Sequence, residues 1–293
     1  MRIAVLSDIH ANLPALNAVI NDMAQFSPDH VIVAGDSINW GPFSTQVIQR
    51  IMRDHWAVIR GNHEYYLLEL HRDTTPDYRR GWTLPRYHRR TIPLKWQYVI
   101  GSLPDTLVLY FPDLPPIRVL HASPGDHFRG IYPTMDADDI QGMLHGVEET
   151  MVIAGHTHLA MDVQAGPYHF INPGSVGLPL NGIIGADYAI LDGNAHGWTV
   201  TQRHIDYDKT PLFAEFERIE HVKHHGSTGY LAIEEFRQSR PFIYGYHRWK
   251  ANERADIPDT VDLAKEYIAS GVCWEYVHPE YRMNLSQTYD WKI

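Results

Sequence analysis

Cysteine is almost absent from the sequence of 293 residues, which contains only Cys273. An intrachain disulfide is therefore excluded, and the cysteine content gives no indication of an oxidising compartment. The first residues, MRIAVLSDIH, are neither a signal peptide nor a membrane span, because their apolar run is short and ends at an aspartate. We therefore expect a cytoplasmic protein without a membrane partner, whose first residues already form a strand.

Positive charge is also scarce. The 25 lysines and arginines are outnumbered by 35 aspartates and glutamates, which gives a formal net charge of −10. Nonspecific binding to nucleic acid or to anionic lipid requires a basic surface, so we expect neither. A small phosphate-bearing substrate remains compatible with this charge, because bound metal ions can reverse the local sign.

Apolar residues and histidines, by contrast, are plentiful. Hydrophobic residues make up 44% of the chain, enough for one large domain or for a main domain with an appendage. The 19 histidines nearly equal the 25 lysines and arginines together. Because histidine is the commonest metal ligand and a proton shuttle, the positions of these residues decide what they do.

The first part of the chain alternates apolar runs with helical patterns. This order predicts βαβ units and a parallel sheet, in which ligands bind beyond the carboxyl ends of the strands. Ser44 is expected to cap the second helix. Strands are expected at about 2–7, 29–35 and 55–61, and helices at about 13–26 and 44–54.

The rest of the chain divides into three stretches. A mainly helical pattern covers about 64–101, and a tail rich in aromatic and charged residues begins near 207. The tail is interpreted as an appendage, with a helix expected at 260–271. Between them, short runs bounded by turn residues predict strands at 105–111, 116–122, 150–156, 161–165, 168–174, 186–192 and about 197–206.

Polar side chains follow five of the expected strands, at the point where each strand ends. Strands that end at one edge converge, so these side chains can share a site. Residues two apart in an extended segment lie on one face, as do Asp8 with His10 and His156 with His158. The residues are Asp8 and His10, Asp36, Asn62 and His63, His121, and His156 and His158.

These residue types are ligands for borderline divalent metals, and thiolate ligands of a structural zinc site are missing. Without His63, the set comprises two aspartates, one asparagine and four histidines, more than one ion needs. It suits two ions about 3.5–4 Å apart with one bridging carboxylate. Taken singly, Asp8, Asp36 and Asn62 could instead form caps or turns, and His63 could be a surface residue.

The order D-x-H, GD, GNHE, H and GHTH resembles the calcineurin-like metallophosphoesterase superfamily. Further motifs are similar to its compact bacterial and archaeal phosphodiesterase branch. The resemblance covers residues 1–208, the expected metallophosphoesterase domain, and leaves 209–293 as a helical or irregular appendage of unknown role. The further motifs are SDIHANLPAL (7–16), GDSINWGP (35–42), HASP (121–124), NPGSVGLP (172–179) and ADYAILD (186–192).

The resemblance implies an α/β fold, a four-layer αββα sandwich of two mixed β-sheets flanked by helices. It also implies that Asn62 and His63 contact the substrate and that His63 binds no metal. Manganese is the expected ion, with iron, zinc, nickel and cobalt as alternatives. The implied ligands are Asp8, His10, Asp36 and His158 for the first ion, and Asp36, Asn62, His121 and His156 for the second.

The implied reaction is hydrolysis of a phosphate ester by a hydroxide held between the two ions. The metals and Asn62 would hold the phosphoryl oxygens, and His63 would donate a proton to the leaving alkoxide or steady its charge. A phosphodiesterase acting on small or nucleotide substrates is therefore expected. Alternatives are a dinucleoside polyphosphate hydrolase, a phosphoprotein phosphatase and a protein-binding scaffold on the same fold.

Two positions depart from relatives within this superfamily. Phosphoprotein phosphatases carry an arginine after their GD motif that grips phosphate, whereas residues 37–41 contain none. Leu180 stands where relatives often carry arginine. Both departures remove phosphate contacts, and the first disfavours a phosphoprotein phosphatase.

The appendage could also join subunits into a homo-oligomer.

Three features near the motifs leave alternatives open. The turn at 172–175 is expected to shape the site more than to contact substrate. Trp40 could stack on a base or pack in the core. A basic stretch could grip a second phosphate or form a solvated helix face, and it contains Arg79, Arg80, Arg86, Arg89 and Arg90.

Overall fold

Two five-stranded sheets lie at the centre of the computed structural model, which describes residues 1–70, 82–278 and 281. All ten strands expected from the sequence are present. In chain order they are β1 (Arg2–Leu6), β2 (His30–Val33), β3 (Ala57–Val58), β4 (Leu107–Phe111), β5 (Leu114–Val119), β6 (Met151–Ile153), β7 (Met161–Ala165), β8 (Tyr168–Asn172), β9 (Ala186–Asn194) and β10 (Gly197–Ile205).

Both sheets are mixed, as expected. The first has the order β10-β9-β1-β2-β3, in which β1, β2 and β3 are parallel, β9 runs antiparallel to β1, and β10 runs antiparallel to β9. The second has the order β4-β5-β6-β8-β7, with β5, β6 and β8 parallel and an antiparallel strand at each edge. The carboxyl ends of the parallel strands therefore form one edge in each sheet.

The helices cover the outer faces of the two sheets or follow them in the chain. The expected helix at 13–26 ends at Met23 and continues as a short 3₁₀ turn. The described helices are α1 (Leu13–Met23), α2 (Ser44–Arg53), α3 (Asn62–Glu69), α4 (Thr83–Thr91), α5 (Leu94–Ser102), α6 (Ala137–Met143), α7 (Thr210–Arg218), α8 (His221–Gln238), α9 (Ile243–Glu253), α10 (Val261–Ala269) and α11 (Cys273–Tyr276).

The burial pattern of β1 shows how the layers stack. Successive side chains of a strand point to opposite faces, and both faces of β1 are apolar. Ile3 and Val5 face the second sheet, in a cluster with residues of β5 and β6. Ala4 and Leu6 face α1 and α2. A further cluster joins the outer face of the second sheet to α6, which completes the αββα sandwich.

The expectation that Ser44 caps α2 is wrong. Phe43 occupies the cap position, and no side chain caps this helix. The Ser44 hydroxyl instead accepts the backbone N–H of Asn39 at 3.1 Å, because the loop before α2 folds back over the first helical turn.

The C-terminal appendage is helical from α7 to α11 and packs onto the sandwich. Leu212, Phe216 and Phe236 of the appendage form one apolar cluster with Leu178 and Leu180. No helix among residues 1–70 and 82–278 is long and apolar enough to cross a bilayer. The domain boundary at 208 stays a prediction.

Candidate active site

The backbone takes an uncommon conformation where the strands deliver their polar side chains. Left-handed φ values are costly for residues other than glycine and concentrate at functional sites. Five of the expected ligands adopt them, which turns each side chain back over the sheet edge. The values are 53° for Asp8, 46° for His10, 51° for Asp36, 69° for His156 and 61° for His158.

Glycines let neighbouring backbone approach the two aspartates closely. A Cβ on Gly61 would lie 2.2 Å from Asp36 Oδ1, and one on Gly155 would lie 2.5 Å from Asp8 Oδ2. Neither distance is compatible with a side chain. One oxygen of each carboxylate accepts a backbone N–H, of His63 for Asp36 and of His156 for Asp8, which leaves the other oxygen directed into the site.

One group of ligand atoms lies at the end of β1. His10 Nε2 and His158 Nε2 are 3.0 Å apart, and His158 Nε2 lies 3.4 Å from Asp8 Oδ1. All three side chains are buried. Their ligand atoms lie within 4.8 Å of one another, close enough for one metal ion.

A second group lies beside the first, centred on Asp36. Its Oδ2 is 3.3 Å from His121 Nε2 and 3.8 Å from His10 Nε2, so this oxygen faces both groups. Asn62 Oδ1 lies 2.8 Å from His121 Nε2 and 2.9 Å from His156 Nδ1. The seven expected ligands are thus brought together, and Asp36 lies between the two groups.

The two buried carboxylates of the site favour the binding of cations. Asp8 Oδ1 is buried without a hydrogen-bond partner. Burial alone would lower the pKa of His121, but the charges of Asp36 and Asp8 raise it to about 9. Without another cation, the carboxylates therefore draw a proton onto a buried imidazole. Metal ions replace such protons when they bind, so the residues fit a metal centre.

Two of the four expected histidine ligands are oriented by backbone carbonyls. Nδ1 of His121 lies 2.8 Å from Ala34 O, and Nδ1 of His158 lies 2.5 Å from Leu178 O. An imidazole that binds a metal typically donates the N–H of its second ring nitrogen in this way. The nitrogens that face the aspartates are then free to act as ligands.

His63 lies next to the ligands, with Nε2 4.0 Å from Asp36 Oδ2. Burial lowers the pKa of His63 to about 4, so the ring is neutral near pH 7. Asn39 determines its tautomer. Asn39 Oδ1 accepts the N–H of Trp40, so its Nδ2 donates to His63 Nδ1 at 2.9 Å. The proton of the imidazole is therefore on Nε2, which faces the site.

Glu64 supports the backbone beside Asp36, a structural role that the motifs do not indicate. Gly61, not Asn62, is the cap of α3, and the Glu64 carboxylate accepts the Gly61 N–H at 2.7 Å. The same carboxylate accepts the N–H groups of Asp36 and Ser37 at 3.0 and 2.9 Å. A capping-box pattern, with glutamate three residues after the cap, could have revealed it.

The turn near the site has the structural role expected of it. Ser175 Oγ donates to the backbone carbonyl of Asp8, and Asn172 Nδ2 donates to that of Gly155. In the basic stretch, Arg89 donates to Leu67 O, while Arg79 and Arg80 lie outside the described residues.

Trp40 connects the site to the appendage, a link that sequence motifs do not reveal. Its ring packs against His63 with centroids 4.9 Å apart. Its indole Nε1 donates to Glu235 Oε2 on α8 at 2.7 Å. The other carboxylate oxygen accepts the N–H groups of Phe242 and Ile243. Glu235 therefore joins the active centre to the start of α9.

Glu235→Gln is expected to destabilise the protein by about 1–3 kcal/mol, because the amide leaves the Trp40 indole or a buried backbone N–H unpaired. Urea unfolding at constant pH measures this change. Glu234→Gln is the matched control, since Glu234 forms a side-chain ion pair with Arg237 on the same helix. Surface pairs contribute about 0–1 kcal/mol, so equal losses in both variants would contradict the prediction.

Two mixed sheets that bring aspartates, an asparagine and histidines to one edge define a class, the metal-dependent phosphoesterases. The family model described as Calcineurin-like phosphoesterase superfamily domain matches residues 1–196. The chain therefore belongs to this superfamily. This membership confirms the metallophosphoesterase predicted from the sequence. Enzymes of the family depend on two metal ions.

Relatives with this fold include bacterial and archaeal proteins. The phosphodiesterase YfcE of Escherichia coli K12 is 25% identical over 206 residues, which span 66% of this chain and 89% of YfcE. An uncharacterized protein of Methanocaldococcus jannaschii is 25% identical over 207 residues, 65% of this chain and 82% of the relative. A metallophosphoesterase structure from Sphaerobacter thermophilus has a TM-score of 0.66 and 21% identity, covering 82% of this chain and 100% of that one.

Proposed function

We propose that the protein is a phosphodiesterase that hydrolyses small or nucleotide phosphate esters. The observation that carries this proposal is the arrangement around Asp36. One carboxylate oxygen faces ligand groups on both sides, and the N–H of a neutral His63 points into the same space.

The proposed ligands of one ion are Asp8, His10, Asp36 and His158. Those of the other are Asp36, Asn62, His121 and His156, and manganese is the expected metal. When bound, two such ions supply an activated water and Lewis-acid stabilisation of the phosphoryl oxygens. The neutral oxygen of Asn62 adds no further negative charge to a site that already contains two carboxylates.

His63 is proposed to act at the leaving group. Its Nε2–H can donate to the departing oxygen as negative charge develops there. Because Asn39 fixes the tautomer, this N–H is oriented before substrate binds. In the free protein the His63 ring is neutral, so it can assist the leaving group by donating a hydrogen bond. A bound phosphate anion would favour the protonated ring, which can also transfer a proton.

Aromatic side chains around the centre favour an ester with a planar group, such as a nucleotide. The Tyr66 ring lies 5.2 Å from that of His63, and Phe128, which is 39% exposed, lies 5.6 Å from Tyr66. On another side Tyr132 contacts Tyr281, whose pKa is raised by burial and by charges including that of Asp8. Such rings can stack on a base.

The proposal is tested with bis-p-nitrophenyl phosphate and p-nitrophenyl phosphate in Mn²⁺, Ni²⁺, Co²⁺ and Zn²⁺. We expect turnover of the diester to exceed that of the monoester. The monoester is a dianion, and residues 37–41 lack the arginine that would grip it.

Metal content is measured on the same samples. Absence of turnover with every metal, in protein shown to hold two ions, would contradict the proposed activity. A higher kcat/KM for the monoester would retain a phosphoesterase but overturn the diester preference. Dinucleoside polyphosphates in the same assay test the nucleotide alternative directly.

A further inference from the structure

A second group of histidines lies beyond His63, where the appendage meets α4. This histidine cluster consists of His88 on α4 and of His221 and His225 on α8. All three side chains are buried, with exposed fractions of 2%, 2% and 7%. The proposed phosphodiester hydrolysis uses none of them.

Most ring nitrogens of the histidine cluster are unpaired among the described residues. Both nitrogens of His221, both nitrogens of His225 and Nε2 of His88 are buried without a hydrogen-bond partner. Buried polar atoms are nearly always paired, and each exception requires an explanation such as a bound water or ion. Burial and then the nearby rings of His225 and His88 lower the pKa of His221, so the three side chains are neighbours and their unpaired nitrogens indicate a shared ligand.

The spacing of the cluster suits a metal ion. His221 and His225 are four residues apart on one helix, so they share a face, and their ring centroids are 4.7 Å apart. Helical histidine pairs with this spacing bind zinc. His88 approaches from α4, where the adjacent Tyr87 ring lies 5.2 Å from that of His225.

His88 is already oriented as a ligand would be. Its Nδ1 lies 3.0 Å from Ser44 Oγ, which is itself fixed by the N–H of Asn39. Metal-binding imidazoles typically engage their second nitrogen with such a partner. Nε2 of His88 is left for the ligand.

The charge state of the histidine cluster indicates whether its ligand is a cation or an anion. Burial is the main cause that lowers the pKa of His88 and His221 to about 3 and that of His225 to about 4. All three rings are therefore neutral near pH 7. Neutral imidazole binds metal, whereas a phosphate would require protonated rings.

We propose that His88, His221 and His225 bind one late first-row transition-metal ion, with Zn²⁺ as the best match to a set of imidazoles. This site is separate from the active centre. The ion would join α4 to α8 and so hold the appendage against the helices that follow α3.

Binding requires some rearrangement of side chains. The groups whose ligand atoms lie within 4.8 Å of one another all belong to the active centre in the described part of the chain. At least one imidazole of the cluster must therefore rotate inward. Gly226, with φ 57° and ψ −134°, interrupts the helix directly after His225.

The test is a count of bound Zn²⁺ in full-length, tag-free protein after dialysis, measured by plasma mass spectrometry. Wild type is expected to hold one equivalent more than the His221→Ala/His225→Ala double variant. His224→Ala is the matched control, because His224 is exposed on the same helical turn, and it should retain the wild-type count. The difference should persist with Asp36→Asn, which makes it independent of the active centre.

Equal counts in wild type and the double variant would overturn the proposal. If the double variant does not fold, His88→Gln decides, because it leaves α8 unchanged. This variant should bind the additional Zn²⁺ at least about tenfold more weakly, since even loss of an outer-shell partner has an effect of that size. Unchanged affinity in His88→Gln would also overturn the proposal.

Discussion

Asp36→Asn is expected to remove both active-centre ions and to lower kcat/KM by at least about 10³-fold. The carboxylate has one oxygen that accepts the backbone N–H of His63 at 2.8 Å and another that faces the rings of His121, His10 and His63. Asparagine can keep the first contact but not the charge. Metal ions contribute several kcal/mol to transition-state stabilisation, and about 1.36 kcal/mol corresponds to a factor of ten in rate.

Metal content and steady-state rates of the same preparation measure this effect. Asp187→Asn is the matched control, because Asp187 is another buried aspartate paired with an imidazole, that of His204, outside the ligand groups. We expect this control to retain both ions. Retention of two ions by Asp36→Asn would show that Asp36 does not bridge.

The fold was largely predictable because its strands have simple patterns. Each apolar run ends at turn residues, and the observed strands lie within a few residues of the expected ones. The failure at Ser44 was local. Serine at a helix start is a good cap in isolation, but the returning loop supplied the Asn39 N–H as a nearer partner.

The convergence of the expected ligands was also predictable, since strand ends at one edge must converge. The supporting contacts were not. Glu235 is distant in sequence from Trp40, and only the packing of α8 brings the two side chains together. Asn39 follows the GD motif, but its role depends on a left-handed backbone at φ 68° that no motif encodes. Sequence patterns thus predicted which side chains converge, whereas tertiary packing determines how His63 and Trp40 are held.

His63→Ala is expected to lower kcat by about 10²–10⁴-fold, the usual contribution of a positioned acid or base. Both ions should remain bound, because His63 is proposed to face the leaving group. The loss should be larger for an alkyl ester than for a p-nitrophenyl ester, since p-nitrophenolate needs little assistance to depart. Asn39→Ala should cause a smaller loss, because the ring remains but its tautomer is no longer fixed.

The metal content of His63→Ala decides between two roles for this residue. His63 also lies in a group with His10 and Asp36 whose ligand atoms are within 4.8 Å of one another. Loss of one ion would therefore place His63 among the ligands and contradict its role at the leaving group. Retention of both ions, together with a loss of rate that depends on the leaving group, would separate metal binding by Asn62 from assistance by the adjacent His63.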